Sequence, residues 1–422
     1  HNTDWFEIKK ASSLALSFTL GDTFSKEYDT NEVSISPAAT YTNGKWTIVV
    51  GGKTIEITSF KEGSSTETIT ADERTLDGVV FTLNEVAKNA GKYTINASLA
   101  NSDDNATYTS VNLTNGTDTV VITKAERTIS LSDLPEAGRV GFSKAFREPN
   151  PTVISAKATL IGTEEITITF ERDGQGEDVG TYSLQFKAVD NANYEITVPS
   201  NKWFEIKAVA TSKITATANS VELVYNNAKP TITKETAVGK LTVSNGNSAT
   251  ITLSNLKEKV AGVEYELSDA QLQEIWAAVE FSITGAKESV GEYAIVATLT
   301  HKNYPAGITI GTVKLTITAK EITIADSATP LFTKTYKEAD PKLEKTFTNA
   351  DNSGILGSDS VKVTFTRTAG EEVGTYHLEN PVSGNANYTV KMASAENNLF
   401  KIKPLEGLFV TAEISGLTNT FT

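Results

Sequence analysis

The fold class of this chain follows from residues 46–58, WTIVVGGKTIEIT. Two runs in which apolar and polar residues alternate flank a Gly-Gly pair, which is the pattern of a β-hairpin with a two-residue turn. Pairing Val50 with Lys53 brings Ile48 opposite Ile55, and the two runs then share one apolar face with threonines turned to water. The stretch therefore predicts a half-buried antiparallel sheet.

Strand patterns also dominate the rest of the chain. Residues 241–253 predict a second hairpin around the turn Asn245-Gly246-Asn247-Ser248. The one helical pattern covers residues 268–278, where Ser268 and Gln271 form a predicted capping box. Thr, Val and Ile are abundant, which favours many solvated strands with one buried face each. The sequence therefore predicts an all-β fold.

Two short motifs recur four times along the chain, which indicates tandem units. Each unit has a small residue followed by Gly-x-Tyr, and then a turn that ends in a second tyrosine. The motif glycines are Gly91, Gly180, Gly291 and Gly374, and the second tyrosines are Tyr108, Tyr194, Tyr304 and Tyr388.

Unit ends recur as well, and they set the predicted domain limits. A strand-like ending such as Phe204-Glu205-Ile206-Lys207 occurs five times and so encloses four domains. The predicted domains are A1 (10–124), B1 (125–208), A2 (209–320) and B2 (321–404), between the end of a preceding domain at 1–9 and the start of a following one at 405–422. Units of this size with short strands and frequent turns are typical of immunoglobulin-like β-sandwiches.

The units alternate in type, as the names A and B indicate. B1 and B2 match in detail, since residues 144–151 of B1 correspond to residues 334–341 of B2. A1 and A2 are longer, and each has a hairpin followed by a strand, at 81–84 and at 281–284.

The B segments resemble the MBG-type immunoglobulin-like repeats of bacterial surface proteins. The resemblance rests on the Val-Gly-Thr-Tyr step, the Asn-Ala-Asn-Tyr turn, the unit ending Ile122-Thr123-Lys124-Ala125 and the early proline segment that ends at Pro151 and Pro341. It is looser over A1 and A2, which lack the full proline segment. The family implies a modular protein that is secreted or anchored to the cell wall, with no catalytic residues to transfer.

The linkers indicate a stiff array. Residues 122–129 and 317–324 run from one strand pattern into the next without a Gly-, Pro- or Ser-rich spacer. At about 3.3 Å per strand residue, four domains would form an elongated rod of roughly 120–160 Å. Because each domain folds around its own core, we expect the array to lose stability domain by domain.

Charge and composition limit the classes of partner and the cellular compartment that can be expected for this chain. The formal net charge is −14, and nucleic acids and anionic membranes select basic surfaces, so neither is predicted as a partner. No apolar run is long enough to span a membrane, and a monomer is expected. The chain has no cysteine, which excludes disulfides and agrees with export by a bacterium that does not rely on them. It opens at His1 without an initiator Met, and we interpret it as an excised piece of an extracellular protein, on the bacterial surface or secreted.

No pattern predicts catalysis. The three histidines lack metal-ligand spacing, and no phosphate-binding loop or nucleophile elbow is present. The carboxylate pairs Glu164-Glu165 and Glu371-Glu372 are interpreted as solvated residues at turns or strand ends. We therefore predict a non-enzyme with no catalytic residue, no cofactor and no dedicated metal site.

Calcium stays open as a ligand. Oxygen-bearing side chains cluster at residues 101–105, and at residues 349–353 together with Asp359. Neither cluster shows an ordered ligand pattern, and ordinary turn chemistry is the favoured explanation of both.

Two tryptophans are candidate ligand contacts. Trp203 precedes Phe204 at a unit end, where a core or inter-domain anchor is favoured over a sugar-stacking platform. Trp276 lies on the predicted helix next to Ile275, and a partly exposed contact residue is the less favoured interpretation of it. A spontaneous Lys–Asn cross-link is a further alternative, for which the sequence selects no pair.

Two functions remain from different classes. The first is a stalk or adhesin segment that acts as a rigid spacer and attaches to a host surface. The second is an accessory region of a large secreted protease or glycosidase that binds a glycan or a host extracellular protein such as mucin or immunoglobulin.

Overall fold

The structure is a computed structural model that describes residues 14–72, 75–101, 107–174, 176–352 and 354–407. It divides into two compact units, His1–Lys207 and Ala208–Thr422. The predicted end of a preceding domain at 1–9 lies outside the described residues, as does most of the predicted start of a following domain at 405–422. The four domain limits and the arrangement as a rod remain predictions.

The first unit contains strands β1 to β19. Those of A1 are β1 (Ala15–Leu20), β2 (Phe24–Glu27), β3 (Thr40–Thr42), β4 (Lys45–Val50), β5 (Lys53–Glu62), β6 (Val79–Leu83), β7 (Gly91–Tyr93), β8 (Ile95–Leu99), β9 (Ser110–Leu113) and β10 (Val120–Thr123). They form sheets in the orders β3-β4-β5-β1-β9, β2-β10-β7 and β6-β8.

In B1 the strands are β11 (Ala125–Thr128), β12 (Arg139–Val140), β13 (Ser143–Ala145), β14 (Ile154–Thr159), β15 (Glu165–Arg172), β16 (Gly180–Tyr182), β17 (Leu184–Val189), β18 (Tyr194–Thr197) and β19 (Phe204–Lys207). Short 3-10 helices cover Leu131–Asp133 and Glu136–Gly138. The sheets have the orders β11-β18, β12-β14-β15-β17 and β13-β19-β16.

The second unit repeats this organisation. A2 contains β20 (Lys213–Ala218), β21 (Val221–Val224), β22 (Thr231–Lys234), β23 (Lys240–Ser244), β24 (Ser248–Val260), β25 (Val263–Glu266), α1 (Asp269–Ala278), β26 (Glu280–Thr284), β27 (Gly291–Thr298), β28 (Ile308–Thr309) and β29 (Val313–Thr318). Its sheets have the orders β22-β23-β24-β20-β28, with β25 on β24, and β21-β29-β27-β26.

B2 contains β30 (Lys320–Ile324), β31 (Phe332–Thr335), β32 (Glu344–Thr348), β33 (Ser360–Arg367), β34 (Gly374–Tyr376), β35 (Leu378–Ser383), β36 (Tyr388–Met392) and β37 (Phe400–Lys403). They pair as β30-β36, β31-β37-β34 and β32-β33-β35. The all-β prediction is confirmed, and α1 is the one α-helix among the residues that the structure describes.

Alternating burial places the core between the sheets. Strand β1 buries Leu16, Phe18 and Leu20 and leaves the residues between them half-buried. The β4–β5 hairpin has the predicted register, with Val50 opposite Lys53 and Trp46 opposite Ile57. Period-2 patterning therefore decided which face of each strand is buried.

The predicted hairpin and helix of A2 are also confirmed. Strands β23 and β24 pair across the turn that holds Asn245 and Gly246. Helix α1 starts after Ser268, whose hydroxyl accepts a hydrogen bond from the Gln271 backbone N–H while the Gln271 side chain reaches back. This capping box satisfies two amide groups that the first helical turn leaves without partners.

Each Gly-x-Tyr motif forms the same corner. The four motifs open β7, β16, β27 and β34, and each of these strands pairs antiparallel with the last strand of its segment. The tyrosine hydroxyl donates to the carbonyl four residues earlier, at 2.6–2.8 Å, in Tyr93, Tyr182, Tyr293 and Tyr376. A tyrosine that bonds back to the upstream backbone beside the final strands is typical of immunoglobulin-type sandwiches.

Candidate functional site

The most distinctive polar site of the first unit lies where A1 meets B1. The hydroxyl of Tyr28 in A1 donates to the Glu164 carboxylate of B1, with oxygen–oxygen distances of 3.0 and 3.2 Å. The same carboxylate accepts from the Tyr194 hydroxyl at 2.5 Å and from Asn191 Nδ2 at 2.8 Å. Three donors from two segments therefore converge on one carboxylate, and we call this cluster junction 1.

Local structure explains how the carboxylate reaches this position. Glu164 ends a tight turn in which its backbone N–H donates to the Ile161 carbonyl. Gly162 within the turn has φ +60°, a conformation that glycine adopts without strain. Tyr28 directly follows strand β2, which lies beside the last strand of A1. The turn of one segment and the strand end of the other thus face each other.

Further contacts close junction 1. Asn193 Oδ1 accepts from the Ala90 backbone N–H at 2.7 Å, and its Nδ2 donates to Asn89 Oδ1 at 3.0 Å. The rings of Tyr28 and Tyr194 pack edge to face with centroids 5.6 Å apart. Both tyrosines are buried, so the hydrogen bonds lie in a setting where breaking one leaves a desolvated polar group.

The second unit builds the same cluster from different residues, and we call it junction 2. The Tyr225 hydroxyl of A2 donates to Asp359 Oδ2 of B2 at 2.7 Å, and the Tyr388 hydroxyl donates to the same oxygen at 2.8 Å. The rings of Tyr225 and Tyr388 pack edge to face at 5.4 Å. Asn387 Oδ1 accepts from the Val290 backbone N–H at 2.9 Å. Glutamate in one junction and aspartate in the other thus serve the same purpose.

The electrostatics keep the tyrosines as donors. Burial raises the pKa of Tyr28 and Tyr194, and the hydrogen bond to the Glu164 carboxylate raises it further. Burial, together with the Asp359 carboxylate, raises the pKa of Tyr388 to about 12. These phenols stay protonated at neutral pH, so the clusters can hold two segments together but offer no tyrosinate for acid–base chemistry.

One prediction about these residues was wrong. Glu164 was interpreted as a solvated carboxylate paired with Glu165, but it is half-buried at junction 1, whereas Glu165 is exposed. Sequence reasoning also missed Tyr28 and Tyr225. The available signal was an aromatic residue shortly after the second strand of each A segment, but nothing in the linear sequence shows that it faces the next segment.

The second candidate site is an open cavity in B1 beside Trp203. Its volume is about 370 Å³, and it is lined by Glu136, Arg139, Gly141, Phe142, Ser143, Trp203, Glu205 and Lys207. Trp203 is half-buried, and its ring lies edge to face against Phe170 with centroids 6.1 Å apart. Phe142 contacts the same Phe170 ring at 5.5 Å. Trp203 thus anchors in the core and also lines the cavity.

The structure buries Trp276, so the less favoured interpretation of it as a partly exposed contact residue does not hold. Its side chain is 5% exposed, and its indole N–H donates to the Glu235 carbonyl at 3.0 Å. The ring packs against Phe281, and Lys234 Nζ lies 5.8 Å from the ring centroid. The capped helix turns this residue inward, because an apolar ring with a satisfied N–H is more stable in the core than in water.

Each B segment also contains a cluster of charges around a buried arginine. Arg367 lies between the rings of Tyr376 and Phe400, at 5.2 and 4.8 Å from their centroids. Its Nε and Nη2 contact the Asp340 carboxylate at 2.7 and 3.0 Å. Lys334 Nζ lies 2.7 Å from the same carboxylate. The Arg367 guanidinium holds the pKa of Asp340 below its ordinary value, so the group is an ion pair.

B1 repeats the cluster with one substitution. Arg172 lies between Tyr182 and Phe204, at 5.1 and 4.7 Å from the ring centroids. Asn150 stands where B2 has Asp340, and its Oδ1 accepts from Arg172 Nη1 at 2.6 Å. The Lys–Asn cross-link remains an alternative without an assigned pair.

The two loops weighed as calcium sites carry turn hydrogen bonds where they are described. Asp351 Oδ2 accepts from the backbone N–H and the hydroxyl of Thr348, both at 2.9 Å. Asn352 Nδ2 donates to the Thr323 carbonyl, and Asp359 belongs to junction 2. Most of the loop at 101–105 lies outside the described residues. Calcium stays an untested alternative, and within the described ranges no group of three or more His, Cys, Asp or Glu side chains is arranged to hold a metal ion.

No helix among the residues that the structure describes is long and apolar enough to cross a bilayer.

Comparison with known proteins identifies one segment. Residues 322–398 match the family model for the MBG domain (YGX type). The match covers most of B2, and the resemblance predicted for that segment is confirmed. No curated protein matches the chain.

Proposed function

We propose that this chain is a non-catalytic spacer segment of an extracellular bacterial surface protein, in which each A segment is locked to the B segment that follows it. An MBG domain within a tandem β-repeat array supports a surface-associated role. The acidic composition and the lack of cysteine agree with exposure outside the cell.

The observation that carries the proposal is that the same junction is built twice. In each unit a tyrosine of the A segment and a tyrosine of the B segment donate to one carboxylate, and an asparagine of the B segment accepts from the A-segment backbone. Only one residue separates the final strand of A from the first strand of B, at Lys124 and at Ala319. A short link reinforced by buried hydrogen bonds leaves little freedom for a hinge.

The junction in the first unit can be tested with spin labels, because the chain has no native cysteine. Labels at Thr54→Cys in A1 and Lys187→Cys in B1 occupy exposed positions. We expect one narrow distance distribution, which broadens when Tyr28→Phe and Asn193→Ala are combined. A distribution that is already broad in the unaltered junction would contradict the spacer proposal.

A matched control separates junction effects from general destabilisation. Tyr182→Phe removes a hydroxyl that donates to Asp178 within B1. It is expected to leave the distance distribution unchanged.

A second candidate function has one specific observation in its favour. The cavity beside Trp203 combines aromatic and charged side chains, as a ligand-binding accessory region would require. Attachment to a host surface and accessory binding in a secreted enzyme both need such a site, whereas a pure spacer does not.

A further inference from the structure

The B fold does not require a tryptophan at position 203. Trp203 precedes Phe204 at the start of β19, and Leu399 precedes Phe400 at the start of β37. Leu399 is fully buried in B2. A leucine therefore fills the same position in the matching repeat, and the larger half-exposed ring in B1 needs another explanation.

The indole N–H of Trp203 supports this distinction. Trp46 and Trp276 are buried, and their N–H groups donate to the carbonyls of Asp72 and Glu235 at 2.7 and 3.0 Å. Trp203 Nε1 has no hydrogen-bond acceptor among the residues that the structure describes. Buried indole groups usually find a partner, so Trp203 has the character of a contact residue whose polar edge is open.

The cavity lining is mostly polar, with a smaller aromatic part. Trp203 and Phe142 present aromatic groups, and around them stand two cations, Arg139 and Lys207, and two anions, Glu136 and Glu205. Arg139 is held in place, since its Nε and Nη2 donate to the Leu134 and Leu131 carbonyls at 2.8 and 3.0 Å. The formal charges of the lining therefore balance.

A sugar has complementary chemistry. The C–H face of a pyranose ring is apolar and packs on an aromatic ring. The sugar hydroxyls accept hydrogen bonds from cationic side chains and donate hydrogen bonds to carboxylates. Balanced charges favour a neutral glycan over a sialylated or sulfated one. A volume of about 370 Å³ falls in the range of small-molecule sites.

We propose that the cavity of B1 binds a neutral oligosaccharide, with Trp203 packing on a sugar ring and the paired charges bonding to hydroxyls. B2 supplies an internal comparison. It has Leu399 in place of Trp203 and Lys401 in place of Glu205, because Thr333 pairs with Lys401 in B2 as Ser143 pairs with Glu205 in B1. The site is therefore assigned to B1 and not to B2.

The test uses the full chain on an array of neutral and sialylated oligosaccharides, followed by titration of each bound sugar with ¹⁵N-labelled protein. We expect saturable binding of at least one neutral oligosaccharide that shifts the Trp203 indole signal. Trp203→Leu and Glu205→Lys each install the B2 residue and so should preserve the fold. We expect each to weaken binding about tenfold or more.

Three results would overturn the assignment: no saturable binding by any neutral oligosaccharide, binding only of sialylated sugars, or full binding by Trp203→Leu. None of these results bears on the distance measurement at junction 1, so the site and the spacer proposal can fail separately.

Discussion

Removing the Tyr225 hydroxyl should weaken two segments at once. In Tyr225→Phe the ring stays against Tyr388, but Asp359 loses a donor at 2.7 Å in a partly buried setting. A hydrogen bond to a charged group contributes about 1.5–3 kcal/mol. Because donor and acceptor lie in different segments, we expect local unfolding free energies to fall by about this amount in both A2 and B2. Hydrogen exchange on the full chain, resolved over residues 213–318 and 320–403, measures each segment separately.

The matched control for this prediction is Tyr293→Phe. The Tyr293 hydroxyl donates to the Ser289 carbonyl at 2.7 Å within A2, so the same chemical change should lower protection in A2 alone. If Tyr225→Phe also affects only A2, the junction does not couple the segments. The expectation that the array loses stability domain by domain would then apply within each unit.

Three further predictions concern single segments. Arg367→Met should lower the unfolding free energy of B2 by about 2–4 kcal/mol, measured by denaturant titration, and an unchanged midpoint would contradict the role given to the stacked guanidinium. Arg367 holds the pKa of Asp340 below its ordinary 3.8. B2 should therefore keep the stabilisation from this ion pair above about pH 4 and lose it as the pH falls. In melts recorded over a range of pH, Arg367→Met should flatten that acid dependence. Gly51→Ala should destabilise A1 by about 2–3 kcal/mol, and Gly52→Ala by about 1 kcal/mol. A Cβ added at Gly51 would lie 2.3 Å from Phe24 Cζ, whereas a Cβ added at Gly52 would have no neighbouring atom within 4 Å. Equal thermal shifts for the two glycine variants would refute the steric argument.

Most strand-level features could be predicted because their causes are local. The β4–β5 register follows from a Gly-Gly turn and alternating apolar residues, and the start of α1 follows from Ser268 and Gln271. The four Gly-x-Tyr motifs mark equivalent strands because each tyrosine bonds to a carbonyl only four residues earlier. Signals of this kind are complete within a short stretch of chain.

The candidate sites were only partly predictable because their causes are distant in sequence. Glu164 lies 136 residues from Tyr28, and a glutamate in a turn has no local feature that distinguishes a junction residue from a solvated one. For Trp276 the sequence left partial exposure open as the less favoured interpretation, and tertiary packing covers the ring. Trp203 could be selected as a candidate from its unit-end position, but its charged surroundings could not.

The sequence by itself therefore determined an all-β chain, its repeated motifs, its hairpins and the MBG resemblance of B2. These features could be predicted because turn chemistry, period-2 burial and short motifs each act over a few residues. Only the tertiary structure decided that one carboxylate in each unit collects hydroxyls from two segments, and that Trp203 stands in a cavity while Leu399 is buried in the matching repeat. The physical reason is that these arrangements depend on which surfaces are brought together when the sheets pack, and residues far apart in sequence determine that packing.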